Sequence, residues 1–345
     1  MAKKSKIKVC ILGDGGWGTA LSIVLCRKGL DVSVWGAFKK NIDLINKNRE
    51  NKVFLPGVKI PEKITFTHNM EEALKNVKIV VLAVPSHVMR DVCKKYKKYH
   101  KENHIIVSVA KGIENKTLKR MSEVIEEVVG MHSNIVVLSG PSHAEEVARR
   151  IPTAIVATSK VMEFALEIEK IFTTEKFKVY TNPDIIGVEL GGSLKNIIAI
   201  AAGIVDGLNL GANTKAAVLT RGIVEISRLG VRMGANPLTF SGLSGIGDLI
   251  TTGLSPFSRN RTLGERIGKG EKLKDILKST PKVAEGVNTI NAALKLAKKY
   301  NVSMPITEEL FKVLNNVEPP DKFIDNIFSR DLTSELEWLP FIGAI

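Results

Sequence analysis

The first half of the chain alternates short β-branched runs with longer stretches whose apolar residues recur every three or four positions. Strand-like runs fall at Ile7–Leu12, Val32–Trp35, Ile64–Thr67, Ile79–Ala83, Ile105–Val109, Ile135–Leu138, Ala154–Ala157 and Phe177–Tyr180. Helical periodicity lies between most of them, as in Thr19–Lys28, Val88–Tyr96, Leu118–Val129 and Val161–Phe172. Strands separated by helices on this spacing predict βαβ units and a mostly parallel sheet. Apolar residues on both faces of Val80-Val81-Leu82 suit a strand covered on two sides.

After Asn182 the texture changes. Leu194, Ile197, Ile198, Ala201 and Ile204 repeat at helical spacing, and further helical patterns cover Ala216–Leu229, Leu263–Gly268, Ile290–Lys299 and Glu308–Leu314. The pattern therefore predicts an α/β domain over residues 1–183 and an all-α domain over 184–345.

Composition narrows the class. Apolar residues make up 44% and charged residues 25% of 345, which fits a globular protein and excludes a disordered or fibrous one. A formal net charge of +14 favours an anionic partner. The three cysteines, Cys10, Cys26 and Cys93, form no CxxC pair, so a disulfide framework and a thiolate zinc site are not expected, and a reducing cytoplasm is. The longest apolar stretch, Ile197–Val205, stops at Asp206, short of the ~20 residues a spanning helix needs. No membrane segment is expected. The N-terminal apolar run breaks at Gly13-Asp14, before any pattern of a cleaved signal.

The first strand runs into Gly13-Asp14-Gly15-Gly16-Trp17-Gly18, a GxGxxG element opening a helix. In that context the first glycine permits the tight turn, the second lets backbone approach a pyrophosphate, and the third allows close helix–strand packing. The first domain thus reads as a Rossmann-like dinucleotide-binding domain. Strand two ends in Trp35-Gly36-Ala37-Phe38-Lys39-Lys40, without the acid that usually binds the ribose hydroxyls of NAD. With no repulsion from this segment and two lysines beside it, NAD and NADP are both expected to be accepted.

Other polar groups stand where a bland sequence would not put them. Lys111 and the segment Ser139-Gly140-Pro141-Ser142 follow strands at the edge where open α/β sheets bind ligands. Lys195, in Gly191–Asn196, is expected to open the most apolar helix, where an ammonium either snorkels out or works. Burial and a neighbouring lysine would lower its pKa toward the range useful for proton transfer. Gly245-Ile246-Gly247-Asp248 supplies a carboxylate that could equally be a helix cap. Ser258-Arg259-Asn260-Arg261 is expected to precede a helix starting at Thr262, with Glu265 at capping-box spacing, which makes a phosphate site.

These residues carry a resemblance. GxGxWGTA (Gly13–Ala20), VPSH (Val84–His87), AKGIE (Ala110–Glu114) and SGPS (Ser139–Ser142) occur in order in the first domain. NPDIIGVELGGSLKNIIAI (Asn182–Ile200), SGIGDL (Ser244–Leu249), SRNR (Ser258–Arg261) and VAEGVNT (Val283–Thr289) follow in the second. From Lys6 to about Asn316 the chain resembles the bacterial-type NAD(P)-dependent sn-glycerol-3-phosphate dehydrogenases. The resemblance implies interconversion of dihydroxyacetone phosphate and sn-glycerol 3-phosphate, feeding glycerophospholipid synthesis. It also implies roles: Lys195 as proton carrier, Lys111 shared between substrate and cofactor, and Gly140, Ser142, Asp248, Ser258, Arg259 and Asn260 as substrate contacts. Gly13, Gly15, Gly16, Trp17, Gly18, Ala144, Val283 and Glu285 match cofactor-binding positions, and Arg259 also reaches the cofactor.

Two departures stand out. The family usually has Ser where this chain has Gly16, and a basic or polar residue where Ala37-Phe38 stand. The basic run Lys94–Lys101 has the composition of a nucleic-acid patch, but it ends a helix, where lysines favour the negative dipole end; no nucleic-acid partner is expected. The six histidines form no metal-spaced cluster. His143 reads as a pocket-wall residue, and His87 as a candidate cofactor contact. A hydroxyacid dehydrogenase using a similar lysine and a Rossmann redox sensor are the competing readings. A homodimer is one assembly the sequence allows, and it leaves the role of the tail beyond Ser329 open.

Overall fold

The computed structural model describes residues 7–130, 134–279, 284–331 and 335. The strands are β1 (Lys8–Leu12), β2 (Asp31–Trp35), β3 (Glu50–Asn51), β4 (Leu55–Lys59), β5 (Thr65–Thr67), β6 (Ile79–Leu82), β7 (Ile105–Ser108), β8 (Asn134–Ser139), β9 (Thr153–Thr158) and β10 (Phe177–Thr181). All eight runs expected from the sequence enter one sheet, in the order β10-β9-β8-β7-β6-β1-β2-β5. Pairing is parallel except between β8 and β9, so the last two strands run against the rest. The small β3–β4 hairpin is an addition that the sequence pattern did not signal.

Seven helices flank the sheet: α1 (Gly16–Arg27), α2 (Lys39–Asn48), α3 (Met70–Ala73), α4 (Met89–Lys97), α5 (Met121–Val129), α6 (Ala144–Ala148) and α7 (Met162–Phe172). They bury both faces of the strands. Val9, Ile11, Val34 and Val81 point into one apolar layer, and Cys10, Leu12, Val80 and Leu82 into the other. The chain reverses its direction of winding between β1 and β6, so the carboxyl ends of these strands open the crevice where such sheets take ligands.

The helical domain comprises α8 (Ile185–Gly207), α9 (Gly211–Arg232), α10 (Asp248–Leu254), α11 (Arg259–Gly268), α12 (Leu273–Ser279), α13 (Glu285–Tyr300), α14 (Pro305–Leu314) and α15 (Lys322–Phe328). At its centre is α8, buried along nearly its whole length. By length and hydropathy α8 could cross a bilayer, contrary to the sequence expectation, because it continues through Lys195 and Asp206. However, 94% of its most apolar window is buried inside the protein, which makes it a core helix.

Several helix starts differ from the sequence reading, three of them for a visible local reason. Asp184 caps α8, its Oδ1 accepting from Gly187 N at 2.9 Å, so Gly191–Asn196 lie in the helix interior rather than at its opening. Ser258 caps α11 by accepting from Arg261 N at 3.2 Å, which starts the helix at Arg259 and leaves Thr262 inside it. Leu118 takes a left-handed φ of 61° beside a bridge between Ile113 and Arg120, and this delays α5 to Met121.

A buried ion pair ties the two domains. Glu189 on α8 accepts from Arg120 at 2.5 Å, from Ser122 N at 2.8 Å and from Ser122 Oγ at 2.6 Å. Within the helical domain, α8 and α11 approach through glycines: a Cβ on Gly203 would overlap Arg261 O, and one on Gly264 would overlap Ile200 O. Backbone cannot move aside as a flexible side chain can. Gly264→Ala is therefore expected to lower stability by about 1–3 kcal/mol through overpacking, read as a lower urea midpoint at unchanged m. A midpoint equal to wild type would show that the two helices separate freely.

Candidate functional site

The glycine loop fits a dinucleotide. Gly13 holds φ at +129°, where a Cβ would press on Ala83 O, and its N–H donates to Trp35 O at 2.8 Å. Gly15 caps α1 and faces open space: no atom lies within 4 Å of where its Cβ would be. A side chain there would fill the approach to the amides of the helix N-terminus, the place a pyrophosphate takes. At Gly16 a Cβ would stand 2.7 Å from Phe54 O, so the β3–β4 hairpin leaves little room for a side chain there. Gly18 packs against Gly13 O, and Ala144 at the start of α6 lies beside Gly16. Trp17 packs on the core, its ring 6.3 Å from that of Phe177.

The edge of β2 holds a surprise for the sequence reading. Ala37, Phe38, Lys39 and Lys40 are all exposed, and Lys39 pairs with Asp43 at 2.8 Å. The segment itself contains no acid, yet a carboxylate does stand at this strand end. It belongs to Asp14, whose Oδ2 accepts from Asn41 Nδ2 at 2.6 Å.

Opposite the loop, Asp248 gathers the chemistry. It sits at the first position of α10, and its carboxylate takes Lys111 Nζ on Oδ2 at 2.6 Å and Lys195 Nζ on Oδ1 at 2.9 Å. Thr252, one turn on, accepts from Lys195 and donates to Asp248 Oδ1 at 3.3 Å. Lys111 also donates to Gly140 O at 2.9 Å and to Ser142 Oγ at 3.4 Å. The cap alternative for Asp248 is thereby replaced: its oxygens serve two ammonium groups.

Burial decides the charges. It pushes the Lys195 ammonium down to about 8, with Lys111 adding repulsion and Asp248 opposing. Burial also works against the Asp248 carboxylate, but the two lysines outweigh it and hold its pKa below the usual value. His143 has its pKa lowered by burial and by Lys195, and its Nε2 lies 3.5 Å from Thr251 O.

The α11 N-terminus closes the far side. Ser258 caps it, Arg259 follows as its first residue, and Asn260 donates to Asn196 Oδ1 at 2.9 Å while accepting from Gly286 N at 3.0 Å. Arg259 remains exposed to solvent, although the packing around it lowers its pKa against the pull of Glu145 and Glu285. Glu285 in turn receives Ser86 Oγ at 2.6 Å and Ser86 N at 3.3 Å, and His87 lies within its electrostatic reach. Burial raises the Glu285 pKa against these donors. Val283 lies outside the described residues.

The expected site residues thus fall into two groups, one around the glycine loop and one around Asp248 and α11. The sequence reading missed Asp14, Ser86, Asn196 and Thr252. Asn196 and Ser86 sit beside residues already singled out, Lys195 and His87, and that adjacency was the available signal.

Comparison with known proteins identifies the family of the chain. The family model described as NAD-dependent glycerol-3-phosphate dehydrogenase N-terminus matches residues 8–165, and its C-terminus counterpart matches 184–325. A glycerol-3-phosphate dehydrogenase [NAD(P)+] of Pelotomaculum thermopropionicum is 51% identical, covering 98% of this chain and 97% of that protein. One from Bacillus subtilis is 49% identical over 96% of each. The crystal structure of glycerol-3-phosphate dehydrogenase from Coxiella burnetii superposes with a TM-score of 0.90 at 34% identity, covering 94% of this chain and 99% of that one.

Proposed function

The chain belongs to the NAD-dependent glycerol-3-phosphate dehydrogenase family, and from that premise we propose how its own residues carry the reaction. The enzyme interconverts dihydroxyacetone phosphate and sn-glycerol 3-phosphate with NAD(P)H, a reaction that supplies glycerophospholipid synthesis. The observation that supports the residue assignment is one buried carboxylate holding two ammonium groups beside a capped helix N-terminus.

When bound, the reduced nicotinamide supplies the hydride that reaches C2 of the ketone. Negative charge then grows on the ketone oxygen. Lys195 is the proton donor to that oxygen and the base in the reverse direction; a pKa near 8 lets it serve both ways close to neutrality. Lys111 stabilises the same developing charge and, through Gly140 O and Ser142, keeps the strand-end loop against the site. Asp248 orients both ammonium groups and keeps their mutual repulsion tolerable. Ser258, Arg259 and Asn260 hold the substrate phosphate, so that binding energy remote from C2 orients the carbonyl. Gly13, Gly15, Gly16, Trp17, Gly18, Ala144 and Glu285 form the cofactor side, with Lys111 and Arg259 between the two ligands.

The working location is the cytoplasm, supported by free thiols at Cys10, Cys26 and Cys93. A homodimer is the proposed assembly, and sedimentation velocity decides it.

Lys195→Met is expected to reduce kcat by about 10²–10⁴-fold while leaving the dissociation constant for NADH within a fewfold of wild type. In the wild type, ketone reduction needs the ammonium and should decline as pH rises through about 8; glycerol 3-phosphate oxidation needs the free amine and should rise there. A variant that keeps most of its kcat removes Lys195 from the proton step.

Arg259→Ala should mainly impair substrate capture. A phosphate deprived of its charge-assisted bonds loses roughly 2–5 kcal/mol, so kcat/KM for dihydroxyacetone phosphate should fall at least tenfold, chiefly through KM. A KM within twofold of wild type with normal kcat would place the phosphate elsewhere.

A further inference from the structure

We propose that Asp14 reads the adenosine ribose of the dinucleotide and biases the enzyme toward NAD(H) over NADP(H), although both are accepted. The inference rests on the dinucleotide-binding reading above and concerns which cofactor that site prefers.

In the usual arrangement a carboxylate at the end of strand two, about 20 residues past the glycine motif, accepts hydrogen bonds from the ribose hydroxyls. Here the residue following β2 is Gly36, which has no side chain to offer. A Cβ built on Gly36 would lie 2.6 Å from Asp14 Cγ and 2.7 Å from Asp14 Oδ2. The Asp14 carboxylate therefore fills the space that a side chain on Gly36 would enter. The acid is present at the end of β2, but it comes from the glycine loop. Glycine at 36 and aspartate at 14 are spatially complementary: one leaves the room that the other occupies.

The carboxylate is held in place. Asn41 Nδ2 on α2 donates to Oδ2, and Asn51 Nδ2 donates to the Asp14 carbonyl at 2.7 Å and to Thr19 Oγ1 at 3.0 Å, which fixes the loop backbone. Asp14 is 9% exposed, so water screens it poorly. Burial raises its pKa, while the Asn41 amide, a donor at that contact, favours the charged form. Ribose hydroxyls can donate to a carboxylate, whereas a 2′-phosphate brings up to two negative charges against it. Of the two lysines expected to attract that phosphate, Lys39 is paired with Asp43, while Lys40 stands exposed on α2.

The test is binding rather than turnover. Wild type, Asp14→Asn and Asp14→Ala are titrated with NADH and with NADPH by nicotinamide fluorescence. Wild type should bind NADH about tenfold or more tightly than NADPH, and both variants should bring the ratio near one, mainly through tighter NADPH binding. Asparagine keeps the shape and an acceptor for Asn41, so that variant isolates the charge. On wild type alone, 2′,5′-ADP should displace NADH less effectively than 5′-AMP, which covers the case in which both variants misfold. A ratio in the variants within twofold of wild type, or displacement by 2′,5′-ADP at least as good as by 5′-AMP, overturns the proposal and leaves the dehydrogenase reading intact. A wild type that binds neither dinucleotide overturns that reading itself.

Discussion

Asp248 is the constraint on which the rest turns. A carboxylate buried in the helical domain can remain charged only with partners, and it has two, Lys195 from α8 and Lys111 from the α/β domain. Removing one member of such a set leaves an uncompensated buried charge, a loss of about 3–5 kcal/mol. The group therefore binds the domains together as well as arming the site. Its three charges also do not cancel. Two ammonium groups against one carboxylate leave a local excess of positive charge, suited to an oxyanion that forms only during reaction.

The same carboxylate explains why α8 tolerates a lysine in its interior. An ammonium among Leu194, Ile197 and Ile198 would be untenable without a counter-charge. Asp248 and Thr252, one turn apart on α10, supply it from a single helix face. The remaining desolvation appears as a pKa lowered to about 8. The burial that threatens the fold is thus the same burial that makes Lys195 useful near neutral pH.

The strands were legible because a parallel sheet covered on both faces writes near-continuous apolar runs, as Val80-Val81-Leu82 shows. Helix starts were less so. Ser258 and Asp184 cap α11 and α8, but cap residues are common, and periodicity placed both starts several residues late. The candidate site was readable where residue chemistry and local context coincide, at Gly13–Gly18, Lys111, Lys195 and Arg259. It was unreadable where contact crosses the chain. Nothing in Trp35–Lys40 reveals that Asp14 stands over Gly36, because the sheet brings them together only when β1 and β2 pair in register. The β3–β4 hairpin escaped for a related reason: two short strands have too little pattern of their own, yet Phe54 there is what leaves little room for a side chain at residue 16.

The segments proposed to hold the phosphate and the proton are joined by one chain of hydrogen bonds. Asn196 directly follows Lys195, and its Oδ1 accepts from Asn260 Nδ2, the residue after Arg259. Asn260 Oδ1 then takes Gly286 N, next to Glu285, which holds Ser86 behind β6. One amide side chain thus fixes the start of α11 against α8 beside Lys195 and against the start of α13. The tight glycine contact between α8 and α11 prevents the two helices from sliding past this bond. On the proposed reading, the phosphate anchor and the ammonium therefore sit on two helices locked to each other, so their spacing is set by the fold.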